Sequence, residues 1–157
     1  MTAIVSIETS CDETAIALVE ASGGVRAPKF TVLQSIISSQ IAVHRPFGGV
    51  VPNLAKREHI KNLPILYKKL VASGQWLTPD LIAVTVGPGL EPALWAGIEF
   101  AKQLYGSLTG VDMHADRRRK KEGQRKSASS PRKSALELVG VNHMEGHLYS
   151  FLLENQK

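Results

Sequence analysis

Residues 3–20 read AIVSIETSCDETAIALVE, two short runs of mainly apolar side chains around a polar turn at residues 9–13. Short apolar runs on either side of a polar turn are typical of paired strands. We therefore predict that residues 3–8 and 14–20 form a β-hairpin, and the other elements are placed relative to this hairpin.

The segment after the hairpin predicts a third strand and then a long helix. Residues 30–39 have the composition of a strand, and a turn around residues 44–49 follows them. Residues 52–71 have helical spacing of apolar side chains, whereas Pro64 is expected to bend or divide that helix. The candidate inner positions are Leu54, Leu63, Leu66 and Leu70.

The second half of the chain predicts two strand-to-helix units. Residues 81–86 predict a buried strand that enters the turn at residues 87–89, and residues 91–105 predict a helix with Pro92 in its first turn. Residues 138–141 predict a final buried strand that leads into a last helix. The predicted order is βββαβα, a basic segment and then βα, which is an α/β fold.

Two histidines directly follow the final strand. His143 and His147 are separated by about one helical turn, so both rings leave one face of a helix and can bind one metal ion. The pair can equally be two unrelated histidines on a partly exposed helix.

The net charge of +5 comes from one segment. Residues 112–134 contain nine basic and three acidic residues, which leaves ten basic and eleven acidic residues and a net charge of −1 elsewhere. Because this segment is nearly free of large apolar side chains, it cannot bury enough surface to offset its ordering entropy. We predict a disordered basic insertion, which is either solvated without a partner or in contact with RNA phosphates.

Composition narrows the class of protein. A chain of 157 residues with 43% hydrophobic residues predicts one globular domain. Charges interrupt every apolar stretch before the roughly 18 residues of a spanning helix, and the acidic N-terminal residues do not fit a signal peptide, so we expect no membrane association and a cytoplasmic location. Cys11 is the only cysteine, which excludes an intramolecular disulfide and a four-cysteine zinc site.

Four motifs give the chain a resemblance to a known family. They are IETSCDET at 7–14, FGGVVPNLA at 47–55, VTVGPGL at 84–90 and VNHMEGH at 141–147. In this order they resemble the tRNA N6-adenosine threonylcarbamoyltransferase family, formerly called O-sialoglycoprotein endopeptidase or glycoprotease. The resemblance covers the chain except the basic segment. It implies a ribonuclease-H-like domain (βββαβαβα) of the actin, sugar-kinase and heat-shock ATPase superfamily, here the N-terminal lobe of the usual two.

The resemblance also implies an acyltransferase that modifies tRNA. Members of the family transfer the threonylcarbamoyl group from threonylcarbamoyl adenylate to N6 of the adenosine next to the anticodon. The implied cofactor is one divalent metal ion, iron or zinc, held by His143 and His147 together with an aspartate of the second lobe. The implied partners are tRNA, a homologous subunit and a small ATPase.

By the same resemblance, the polar turn at residues 9–13 and the glycine turn at residues 87–89 line the catalytic cleft. A glycine-rich turn before a helix can bring backbone N–H groups to an anion, although both turns can equally be simple tight connections. The candidate nucleotide-binding residues are Thr9, Ser10, Gly87 and Gly89. The catalytic residues stay open, with Ser10, Asp12 and Glu145 as candidates, of which Glu145 is also a candidate for orienting the metal ligands.

Two departures from the family pattern leave the activity of this chain open. The sequence ends about one helix after His147, so we expect the second lobe and its metal-binding aspartate to be absent. Residues 112–134 replace a short turn of the family and are either a genuine insertion or a gene-model artefact. The candidates are therefore a truncated, weakly active or inactive transferase and a non-catalytic module that pairs with a homologous subunit. A metalloprotease is less favoured, because a zincin needs Glu directly after the first His and Met144 occupies that position.

Overall fold

The computed structural model describes residues 1–24, 26–75, 78–111 and 136–149. Its strands are β1 (Thr2–Glu8), β2 (Glu13–Ser22), β3 (Lys29–Ser39), β4 (Leu81–Gly87) and β5 (Glu137–Asn142). Its α-helices are α1 (Ile41–His44), α2 (Pro52–Ala72), α3 (Glu91–Thr109) and α4 (His143–Tyr149), and a short 3-10 helix covers Arg45–Phe47.

The five strands form one sheet in the order β3-β2-β1-β4-β5. The pairs β1–β2 and β2–β3 are antiparallel, whereas β1–β4 and β4–β5 are parallel. The antiparallel β1–β2 pair confirms the predicted hairpin. A three-stranded antiparallel unit continued by parallel strands in this order is the ribonuclease-H-like topology, so the predicted fold class is confirmed.

The core lies between the sheet and the two long helices. Alternate residues of β1 and β2 are buried, as expected for strands with one covered face. Helix α2 packs on β2 and β3, helix α3 packs on β1 and β4, and the two helices contact each other. The central buried side chains are Val5, Ile7, Ile16, Leu18, Leu63, Leu66, Leu70, Ile82, Val84, Ala101 and Leu104.

Helix α2 excludes one of the two effects predicted for Pro64. Pro64 does not divide the helix, which runs from Pro52 to Ala72 with Pro64 in its interior. Proline removes one intrahelical hydrogen bond, but Leu63 and Leu70 are fully buried, so packing of the inner face offsets that loss. Leu54, a predicted inner position, is only half-buried, and Ala55 is buried in its place.

Strand β5 and helix α3 also differ from the predictions. Strand β5 lies at an edge of the described sheet, and five of its six residues are exposed while the sixth is half-buried, so it is not the buried strand that its apolar sequence predicted. Helix α3 continues past residue 105 to Thr109 and ends at Gly110, which has a left-handed φ of 73°. The predicted insertion at 112–134 lies outside the described residues. Within the described ranges, no helix is both long and apolar enough to cross a membrane.

Candidate functional site

The ends of three neighbouring strands bring the sequence motifs together. Because β1, β4 and β5 are parallel, the segments that follow them lie at the same edge of the sheet. These segments are the polar turn after Glu8 at the end of β1, the glycine turn at residues 87–89 at the end of β4, and helix α4 with its two histidines. Residues far apart in the sequence therefore meet within hydrogen-bonding distance.

The polar turn and the glycine turn interlock. Leu90 N–H donates to the carbonyl of Ser10 at 2.8 Å, and a Cβ on Gly89 would lie 2.7 Å from that same carbonyl oxygen, so glycine permits the close approach. Thr9 is fully buried and its hydroxyl donates to the carbonyl of Ala93 at 3.0 Å. The Thr9 side chain thus anchors helix α3, and nucleotide binding by these two turns stays a prediction.

Asn142 fixes the start of the histidine helix. Its side-chain Oδ1 accepts hydrogen bonds from the backbone N–H groups of Met144 at 2.9 Å and Glu145 at 3.3 Å. This is the arrangement of an N-cap, which satisfies donors that have no partner within the helix. The cap sets where His143 leaves the strand end, and therefore where its ring points.

The two histidine rings have the geometry of a metal-binding pair. Their Nε2 atoms are 3.1 Å apart, and the ring planes are nearly perpendicular, at 89°. Two nitrogens bound to one ion at about 2.0–2.1 Å, with a ligand angle of about 90–110°, lie roughly 2.9–3.4 Å apart. The described residues contain no group of three or more His, Cys, Asp and Glu side chains around one point. The spacing of His143 and His147 fits two nitrogen ligands of one ion, and metal binding by this pair stays a prediction.

Glu8 joins this site, although sequence reasoning did not identify it. Its Oε2 lies 3.4 Å from Nδ1 of His143 and accepts a hydrogen bond from the Thr85 hydroxyl, while its Oε1 accepts Ser10 N–H at 2.5 Å. Burial by itself raises the pKa of Glu8, but the hydrogen bonds from Ser10, Thr85 and His143 outweigh burial and hold the pKa below its usual value. The carboxyl is therefore ionised at neutral pH.

Ser10 is placed beside His143, whereas the other candidate catalytic residues are placed elsewhere. The Ser10 hydroxyl lies 3.3 Å from Nδ1 of His143. Asp12 lines an open pocket with Arg45, Gly48 and Gly49. Glu145 is exposed in the first turn of α4. The structure thus groups Ser10 with the metal candidates and gives Asp12 a separate surface.

Cys11 is exposed at the tip of the polar turn and is a poor nucleophile. Partial burial, followed by the neighbouring Asp12, raises the pKa of its thiol. Since the thiolate is the reactive form, the thiol stays protonated at neutral pH. Nucleophilic catalysis by this cysteine is therefore disfavoured.

A series of hydrogen-bonded, buried polar side chains connects the start of α2 to the polar turn at residues 9–13. Nδ1 of His44 accepts Val51 N–H at 3.3 Å, and its Nε2 donates to Oε1 of Gln40 at 3.1 Å. The Gln40 amide lies 3.1 Å from Nδ1 of His59, whose Nε2 donates to the carbonyl of Cys11 at 3.1 Å. Every donor in this chain meets an acceptor only if both histidine rings are neutral and carry their proton on Nε2. Sequence reasoning missed this chain, although position 59 lies on the buried face of α2.

Comparisons with known proteins agree with the motifs. The family model of tRNA N6-adenosine threonylcarbamoyltransferase (TsaD) matches residues 31–109. Proteins of that name from Thermosipho melanesiensis, Fervidobacterium nodosum and Moorella thermoacetica are 39%, 42% and 40% identical over 94%, 94% and 97% of this chain. The chain spans only 34–35% of the length of these relatives.

Two solved structures are similar at a lower level. YeaZ from Pseudomonas aeruginosa has a TM-score of 0.43 and 21% identity, covering 69% of this chain and 40% of that chain. RuvC from Thermus thermophilus has a TM-score of 0.41 and 15% identity, covering 85% of both chains.

Proposed function

The chain belongs to the tRNA N6-adenosine threonylcarbamoyltransferase family, and from that premise we propose that it serves in threonylcarbamoyl transfer to tRNA. In this proposal the donor is threonylcarbamoyl adenylate and the acceptor is N6 of the adenosine next to the anticodon. The chain contributes a divalent-metal site, for iron or zinc, through His143 and His147. The reaction belongs in the cytoplasm, where tRNA is modified.

The geometry of the histidine pair is the observation that supports this proposal. The Nε2 separation of 3.1 Å fits two ligands of one ion. The His143 side chain is 30% exposed and the His147 residue is exposed, so an ion bound between them is open to a substrate. A buried structural site would instead be closed on all sides.

The surrounding residues suit acyl transfer. When bound, the metal supplies a Lewis acid that polarises a carbonyl group and stabilises negative charge on its oxygen. His143 and His147 hold that ion beside the polar turn, and the Ser10 hydroxyl lies next to the same ring. Asp12 and Arg45 offer charges of opposite sign in a separate pocket, which suits a polar group of a substrate.

A second candidate is a non-catalytic module that pairs with a homologous subunit. A groove between α2 and α3 favours this interaction module. The lining of the groove includes the large side chains of Ile60, Trp95 and Phe100, together with the charged side chains of Lys56 and Glu99. Ile60 is 54% exposed and Trp95 is 44% exposed, which is high for side chains of this size. A partner bound in this groove leaves free the end of the sheet that carries the two histidines. Pairing through the groove is therefore compatible with threonylcarbamoyl transfer. A small ATPase is the further partner of the proposed complex.

Metal content tests the transferase proposal. The double variant His143→Ala/His147→Ala is expected to lose bound zinc or iron, because it removes both nitrogen ligands. A matched control is Met144→Ala/Leu148→Ala, which alters two exposed side chains with the same spacing on the same helix. Elemental analysis after purification in defined metal should find metal in the wild type and the control only. Equal metal content in all three proteins would contradict the assignment.

A transfer assay then separates the two candidate functions. The chain is incubated with tRNA, labelled threonylcarbamoyl adenylate, the homologous subunit and the small ATPase. Label in tRNA that depends on both histidines supports the transferase. Complex formation without any histidine-dependent label supports the interaction module instead.

A further inference from the structure

We propose that Glu8 is a positioning residue that fixes the proton of His143 on Nδ1 and so keeps its Nε2 free for a metal ion. The inference rests on the proposed metal site, and it adds a residue to the two predicted ligands. Glu8 lies 135 positions before His143 in the sequence, and their contact exists only in the folded protein.

The Glu8 carboxylate acts as a hydrogen-bond acceptor at both oxygens. Oε1 accepts the Ser10 backbone N–H, and Oε2 accepts the Thr85 hydroxyl. Nδ1 of His143 lies 3.4 Å from Oε2, so that ring nitrogen is stabilised there only when it carries the proton. The Ser10 hydroxyl, at 3.3 Å from the same nitrogen, can accept or donate and so follows the choice made by Glu8.

The proton on Nδ1 determines the state of the opposite ring nitrogen of His143. A neutral imidazole with its proton on Nδ1 has a lone pair on Nε2. That lone pair points to the side where Nε2 of His147 lies 3.1 Å away. A carboxylate that orients a histidine in this way is a recurrent feature of metal sites, and its loss typically weakens metal binding by about 10- to 100-fold.

Glu8 itself is held in place as the last residue of β1. Two groups besides the histidine fix its orientation, the Ser10 backbone N–H and the Thr85 hydroxyl. The Ser10 N–H is a donor only, so it demands an oxygen at the Oε1 position. This constraint makes the effect of one conservative substitution predictable.

Glu8→Gln is expected to move the proton to the wrong nitrogen. With the amide oxygen held by Ser10 N–H, the amide NH2 group faces Nδ1 of His143 and makes that nitrogen an acceptor. The ring then carries its proton on Nε2, at the position of the metal. We expect the affinity for Zn²⁺ to fall at least about tenfold, although the substitution changes a single atom of the side chain.

The test is a long-range ¹H–¹⁵N correlation spectrum of the full chain with labelled histidine, in the metal-free state and at about pH 8, where imidazoles are neutral. The wild type should show His143 protonated on Nδ1, and Glu8→Gln should show it protonated on Nε2. Zn²⁺ titration of both proteins should show the loss of affinity. The control is Glu137→Gln, which removes an exposed carboxylate at the other end of β5.

The outcomes separate this inference from the proposed metal site. A His143 proton on Nε2 in the wild type, or on Nδ1 in Glu8→Gln, overturns the role of Glu8 whether or not zinc binds. The expected tautomers combined with no zinc binding in the wild type support the orientation by Glu8 and contradict the metal site. A tautomer change in the Glu137→Gln control attributes the effect to general perturbation and also overturns the inference.

Discussion

At the scale of single residues, close approaches at glycine determine how the site is built. A Cβ on Gly97 would lie 2.4 Å from the Thr9 hydroxyl oxygen, and Gly97 itself is buried in α3. Helix α3 therefore packs closely against the polar turn at Gly97, and the Thr9 hydroxyl donates a hydrogen bond to the carbonyl of Ala93, one helical turn earlier. The position of the turn beside the histidines thus depends on the absence of one methyl group.

Gly97→Ala is therefore expected to lower the free energy of unfolding by about 1–3 kcal/mol, because the added methyl group overlaps Thr9. Urea unfolding of Gly97→Ala, Thr9→Ala and the double variant gives a double-mutant cycle, which tests whether the overlap with Thr9 causes the loss of stability. Thr9→Ala removes the overlapping atoms, so the double variant should be less destabilised than the sum of the single variants. Gly146→Ala is the matched control, since its Cβ meets nothing within 4 Å. Additive effects in the cycle would contradict this account.

Single residues also show where sequence reasoning reaches its limit. His143 and His147 were recognisable because their spacing is local and follows the helical period. Glu8 was not recognisable as their neighbour, since it reads as the polar end of a strand until the sheet places it beside α4. Thr9 illustrates the opposite case: a residue in a predicted binding turn whose side chain is used to hold a helix.

At the scale of elements, the buried chain through Gln40 connects three segments. It runs from the start of α2, through His44 and His59, to the carbonyl of Cys11 in the polar turn. His59 is fully buried, and desolvation, together with the nearby His44, lowers its pKa, whereas Cys11 O, Glu8 and Asp12 act in the opposite direction. The net direction favours a neutral ring, as the hydrogen bonds require.

This lowered pKa predicts a loss of stability in acid. The unfolded chain binds a proton to His59 near the ordinary pKa of about 6.5, whereas the folded protein binds it only at lower pH. The contribution is therefore complete above about pH 6.5 and is lost as the pH falls towards the folded pKa, by at most about 1.4 kcal/mol per pH unit. Urea unfolding between about pH 8 and pH 5 should show this slope in the wild type.

His59→Gln serves as the comparison, because it keeps hydrogen-bonding groups without a titrating ring. It is expected to be less stable than the wild type at about pH 8, and its free energy of unfolding should change less between pH 8 and pH 5. An equal slope in both proteins would assign the acid sensitivity to other groups.

Element boundaries followed the sequence where packing and local pattern agree. Strands β1 and β2 pair where two short apolar runs flank a polar turn, and the hairpin was predicted on that basis. Pro64 does not divide α2, as one of its two predicted effects required, because the leucines on either side of it are packed in the core. Strand β5 misled because apolar composition does not distinguish an edge strand from a central one.

At the scale of the whole molecule, the excess of positive charge is concentrated in one segment of the sequence. Outside residues 112–134 the chain has a net charge of −1, whereas that segment alone gives the protein its basic character. The predicted metal site and the predicted phosphate-binding segment are therefore different parts of the chain. A partner such as tRNA would use the first for chemistry and the second for non-specific attraction.

Replacing residues 112–134 with a short glycine-containing turn is expected to leave the domain folded, because the segment contains almost no large apolar side chain to pack. Thermal unfolding should give an unchanged midpoint, and a drop large enough to unfold the sheet would show that the segment is structural. A second variant keeps its length and replaces its nine Lys and Arg residues with Gln. If the segment contacts tRNA phosphates, both variants will flatten the salt dependence of tRNA binding, since each lost contact reduces the slope of log K against log salt by about 0.7–0.9. Equal slopes in all three proteins identify it as a solvated segment without an RNA partner.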